Sequence, residues 1–156
     1  MGRSSSVLFI LTLTTVVSCA KPIYVSGAGI SPDGHVESRN QALATCQAKF
    51  SSGKCISYAW ETLPSEDGFG SFIFKTFRPN IADGSPIPED LSLNPSIVLW
   101  MPGMGHGSSP VTVERIDIGT FRASKVSLYM HGQWEFRFQL KDGSEIKDHA
   151  TINVNF

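Results

Sequence analysis

Eight residues, Trp134-Glu135-Phe136-Arg137-Phe138-Gln139-Leu140-Lys141, alternate apolar and polar without a fault. Side chains on a β-strand point to opposite faces in turn, so Trp134, Phe136, Phe138 and Leu140 face a core and their neighbours face water. A helix would scatter the same four residues around its circumference. Six further segments carry related patterns. Residues 56–62 put Ile56, Tyr58 and Trp60 on one face, and 71–77 carry aromatics on both. Residues 97–101 are a continuous apolar run, and 111–116 alternate. From Phe121, the inward row of Ala123, Val126, Leu128 and Met130 slips at Ser124-Lys125, as a β-bulge would require. Residues 150–156 close the series with their even-numbered positions apolar.

Seven strands punctuated by Asp67-Gly68, Gly119, Gly132 and Asp142-Gly143 predict a mainly β domain over 56–156. The expected architecture is a seven-stranded immunoglobulin-like antiparallel β-sandwich with one short N-terminal helix. Ser38 and Gln41 fit a capping box, and Ala42, Leu43, Cys46 and Phe50 recur at helical spacing. Gly53 is placed to end that helix, so residues 38–55 are expected to lie against the sandwich. Residues 78–94, rich in proline, read as a crossover between sheets. The carboxylates there, Asp83, Glu89 and Asp90, fit no calcium-loop spacing and are expected to be solvated.

The N-terminal residues predict export. Arg3 precedes an apolar stretch, Val7 to Val17, shorter than the roughly 20 residues of a membrane span. Val16-Val17-Ser18-Cys19 resembles a bacterial lipobox, which implies a signal peptide over 1–18 and a lipidated Cys19. Residues 19–37, rich in Gly, Pro and Ser, then form a flexible tether, and His35 within it reads as solvated. The expected location is the bacterial cell envelope, lipid-anchored and facing the periplasm. By resemblance to envelope lipoproteins, uncharged Ala20 favours the outer membrane over the inner. Without Arg3 the chain holds 12 basic against 14 acidic residues, a balance that does not suit nucleic acid as a partner. Cys46 and Cys55 remain as an even pair in an exported protein, where a disulfide is expected. A redox or copper-thiolate pair is the alternative, although the Cys-x-x-Cys spacing of redox motifs is missing.

The densest chemistry lies in Trp100-Met101-Pro102-Gly103-Met104-Gly105-His106-Gly107. Pro102 keeps Met101 extended, and the glycines permit a tight reversal. Met101, Met104 and His106 can then converge, and soft thioethers with an imidazole suit copper(I) better than zinc or calcium. The stretch Tyr129-Met130-His131-Gly132-Gln133-Trp134 borders this loop. Parity assigns Met130 to the core row and leaves His131 as the additional candidate ligand. Packing alone accounts for Met101 and Met130 at strand ends; it accounts least for Met104 and His106, which glycines flank.

The string Met-Pro-Gly-Met-Gly-His-Gly at 101–107, followed by Met-x-Gly-x-Trp at 130–134, resembles the YtkA-like domain, a small exported β-sandwich module of bacteria related in architecture to FixH-like proteins. The resemblance covers 56–156 and is strongest over 97–140. It implies an immunoglobulin-like fold, a role in copper handling, and partners among copper-transport or oxidase-assembly proteins. Met101, Met104 and His106 carry over directly. His131 departs from the family, which has proline there. A metal-free module of the envelope, with the loop and Trp100 as its contact surface, is the competing expectation. Catalysis is not expected, because no nucleophile-elbow motif accompanies Ser108, Ser109, His106 and His131.

Overall fold

A computed structural model describes residues 36–156. The expected signal peptide, the lipidated Cys19 and the tether up to His35 lie outside the described residues. Among the described residues no helix is long and apolar enough to cross a membrane.

The chain is mainly β. Helix α1 (Val36–Ala44) is followed by β1 (Ala48–Lys49), β2 (Cys55–Thr62), β3 (Gly70–Pro79), β4 (Pro86–Pro88) and β5 (Pro95–Met101). Then come β6 (His106–Gly107), β7 (Thr112–Asp117), β8 (Thr120–Val126), β9 (Gln133–Asp142) and β10 (Glu145–Asn155). Each of the seven segments read as strands contains a strand, and β1, β4 and β6 are two- or three-residue additions. One antiparallel sheet runs β1-β2-β3-β8-β7, with β4 also on β3; the other runs β10-β9-β5-β6.

The inward rows of both sheets meet in one core. Trp134, Phe136 and Phe138 of β9 are fully buried in the same core as Phe72 and Phe74 of β3. Phe72 stacks on Phe136 at 5.3 Å, and Phe74 meets Phe138 at 5.1 Å. Each such side chain contributes about 1.5–3 kcal/mol on burial. Both faces of β2 are buried because α1 covers the outer one, where the Ser57 hydroxyl donates to the Leu43 carbonyl at 2.7 Å. The slip at Ser124-Lys125 is a bulge: Phe72 pairs with Ala123 but Gly70 with Val126, and Lys125 takes a φ of 59°.

Two expectations are corrected. The helix starts at Val36 and stops at Ala44, so Ser38 lies inside its first turn and Cys46, Phe50 and Gly53 lie beyond it. Cys46 and Cys55 are bridged, with Cα atoms 5.1 Å apart. A helix rising 1.5 Å per residue to Gly53 would carry the chain about 10 Å from Cys46 and prevent that closure. Instead Gln47 donates to Ile56, β1 pairs with β2, and Gly53 (φ 85°) closes the reversal by donating to the Phe50 carbonyl. A bridge over so short a loop contributes on the order of 2–3 kcal/mol.

The crossover carboxylates are not simply solvated. Glu89 pairs with Lys54 at 2.9 Å and with Arg78. Asp90 takes a two-pronged contact from Arg115, at 3.0 and 2.7 Å, and the Gly119 N–H at 2.8 Å. The charges that engage them come from β3, β7 and the turn before β2, which strand patterning cannot anticipate.

Candidate functional site

The loop that concentrates sulfur and imidazole is a β-hairpin. Strand β5 buries alternate residues, and its parity with Ile97 and Leu99 carries Met101 into the core at 7% exposure. The chain then reverses over Pro102–Gly105. The Met101 carbonyl accepts the N–H groups of Met104 at 3.2 Å and Gly105 at 3.0 Å. Of the loop glycines only Gly105 adopts a left-handed backbone, at φ 70°. Gly107 is needed for a different reason: a Cβ there would lie 3.0 Å from the Leu99 carbonyl oxygen.

Strand β6 returns with His106 opposite Met101 and Gly107 opposite Trp100. Cross-strand partners project from the same face of a sheet. Met101 and His106 therefore share the inner face of the hairpin, the thioether buried and the imidazole half-buried at its rim. Met104 sits on the intervening turn and is 60% exposed.

Tyr129, on the β8–β9 connection, orients the imidazole. Its ring stacks on His106 at 5.8 Å and 10°. Its hydroxyl lies 3.1 Å from His106 Nδ1 and 3.1 Å from the Gly107 carbonyl oxygen. One proton assignment satisfies the whole triangle: the hydroxyl donates to Gly107, and Nδ1–H donates to the Tyr129 oxygen. That tautomer leaves the lone pair of His106 on Nε2. The Tyr129 ring rests edge-on against Trp134 at 5.9 Å, and Trp134 Nε1 donates to the Met130 carbonyl at 3.0 Å.

The second motif braces the first. Gly132, at φ 140°, exchanges both backbone bonds with Phe156, at 2.8 and 3.0 Å. A Cβ on Gly132 would meet the Met101 methyl at 2.8 Å, so its bare face lets the thioether end lie against the backbone. Met130 packs on the core, as parity predicts. His131 is exposed, and its ring stacks on Phe156 at 5.7 Å and 15°.

Of the residues singled out from sequence, Met101 and His106 are therefore brought together by register, with Met104 between them along the chain. His131 belongs to a separate contact with Phe156. Strand patterning assigns Tyr129 no role; its one signal in the sequence is an aromatic hydroxyl two residues before His131. Trp100 lies on the outer face of β5 beneath the Arg137 guanidinium, 4.8 Å from the ring centroid. Among the described residues no three His, Cys, Asp or Glu side chains gather to hold a metal. The donors the hairpin does carry are thioethers and an imidazole, a set that would suit a soft monovalent ion.

No protein-family model, curated protein or solved structure matches this chain.

Proposed function

We propose that this chain is a copper(I)-handling lipoprotein of the bacterial envelope, anchored through Cys19 and built on an immunoglobulin-like domain of YtkA-like kind. The strand order supports the fold reading: β2-β3-β8-β7 and β10-β9-β5-β6 follow the A-B-E-D and G-F-C-C′ orders of immunoglobulin sheets.

The observation that carries the copper reading is the Met101–His106 cross-strand pair, with His106 Nδ1 held by Tyr129. A hydrogen bond on one imidazole nitrogen fixes the tautomer and raises the basicity of the other, the usual outer support of a histidine ligand. Met101, Met104 and His106 would hold the ion, and His131 joins them only by leaving Phe156. Exposed Met104 is the donor best placed for exchange with a partner that delivers or accepts copper, such as a copper-transport or oxidase-assembly protein.

Competition against a copper(I) chelator tests the reading. The Met104→Ala/His106→Ala double variant is expected to lose at least about tenfold in affinity, and equal affinity in both proteins would sink it. A metal-free contact module is favoured by the exposure of Met104 (60%) and Tyr129 (53%) on neighbouring loops. Partner capture that survives chelation but fails in the double variant would select that reading instead.

A further inference from the structure

We infer that the outer edge of β10 pairs with the same edge of a second copy of this chain. Among the described residues β10 ends its sheet with β9 as its one ladder partner; β1 packs beside it without pairing, and the Ser51 and Ser52 N–H groups donate to its Asp148 carboxylate. Gly132 and Phe156 exchange both backbone bonds, and this sets the phase of the β9–β10 ladder. Val154, Ile152 and Ala150, opposite Trp134, Phe136 and Phe138, direct their backbone groups to β9. His149, Thr151, Asn153 and Asn155 consequently direct theirs to the open side. The His149 N–H is taken by the Asp148 carboxylate at 2.8 Å. Among the described residues, Thr151, Asn153 and Asn155 meet no backbone partner on that side.

Proteins usually guard such an edge with charge, proline, a bulge or shortness. Strand β7, at the far edge of the other sheet, is guarded: it carries Glu114, Arg115 and Asp117. From His149 to Phe156, β10 has no Lys, Arg, Asp, Glu or Pro. Its bulge, between Ile146 and Asp148, comes before this stretch.

The same stretch complements itself. An antiparallel pairing centred on Ile152 sets Thr151 opposite Asn153 of the second copy and His149 opposite Asn155. This register engages the outward groups of Thr151, Asn153 and Asn155 and the His149 carbonyl, while the His149 N–H stays on Asp148. On the solvent face it joins uncharged hydrogen-bonding side chains. On the inner face it joins Ala150 to Val154 and Ile152 to itself, an apolar row that continues the core face. No like charges meet, and the two β10-β9-β5-β6 sheets become one.

Sedimentation equilibrium of the full chain tests this. Wild type is expected to form a concentration-dependent dimer of twice the 17.0 kDa chain mass. Asn153→Pro deletes an outward N–H that the β9 ladder does not use, and should weaken dimerisation by about tenfold or more. Thr151→Lys adds a charge on the exposed side and should weaken it without touching the backbone, which keeps the test valid if the proline variant is poorly folded. Amide exchange at Thr151, Asn153 and Asn155 should slow with rising concentration in wild type. A chain that is monomeric at every concentration overturns the inference, whether those amides are open or covered by another segment of the same chain. A dimer that survives both substitutions also overturns it.

Discussion

Where β8 begins, Glu89 and Asp90 are engaged by Lys54, Arg78, Arg115 and the Gly119 N–H. Where β8 ends and the chain continues to Tyr129, Met104 stands exposed and His106 has one ring nitrogen tied to a hydroxyl. The first region holds oxygen donors whose charge is already matched by cationic side chains, and they clamp the crossover. The second holds sulfur and nitrogen donors on a hairpin whose backbone is satisfied without them. Donor atoms at one end secure the fold, and those at the other are the ones proposed to hold copper(I).

The largest expected effect separates two glycines. Gly119 sits at φ 57°, and a Cβ there would lie 2.4 Å from the Thr76 carbonyl oxygen and 2.8 Å from the Glu89 nitrogen. Gly119→Ala must displace backbone and should cost about 3 kcal/mol or more, read as a lowered urea midpoint. Gly105, at φ 70°, has nothing within 4 Å of the same position. Gly105→Ala should cost only about 1 kcal/mol of conformational strain. Equal losses would break the contrast between a clamped end and an open one.

Acid should act on the clamped end next. The Lys54 and Arg78 contacts hold Glu89 below its ordinary pKa, and the Arg115 contact and Gly119 N–H do the same for Asp90. A carboxylate depressed in the folded state stabilises fully above its unfolded pKa, and that contribution disappears as pH falls through the folded value. Asp90→Asn should therefore be less stable than wild type at neutral pH, and the gap should narrow from roughly pH 5 downward. A gap that is constant with pH would show that the Asp90 charge does not contribute.

The smallest effect on stability is expected at the open end. Tyr129→Phe removes the hydroxyl that orients His106 and should change stability by about 1 kcal/mol or less. The same substitution should weaken copper(I) binding by about tenfold, because the outer support of the imidazole is lost. Unchanged affinity in a chelator competition would detach Tyr129 from the proposed site.

The strand faces were legible because alternation is local: Trp134 through Lys141 states its own inside and outside, and the slip at Ser124-Lys125 announces its bulge. The Cys46–Cys55 pair was legible from parity of number. The end of α1 was not, since Ala42, Leu43, Cys46 and Phe50 satisfy a helical period. The disulfide and the β1–β2 pairing override it, and both depend on residues further along the chain. Glu89 and Asp90 looked solvated because their cationic partners come from elements distant in sequence. His106 and His131 looked like neighbours in one site. Register instead sends His106 to Met101 and Tyr129, and His131 to Phe156.

By itself, then, the amino-acid order determined which residues face the core, where the chain turns, and that sulfur and imidazole concentrate in the 101–107 hairpin. Tertiary structure decided which of those donors meet and, among the described residues, which strands end each sheet. Periodicity fixes a side chain's direction within its own strand. Only the pairing of strands distant in sequence fixes what it is directed at.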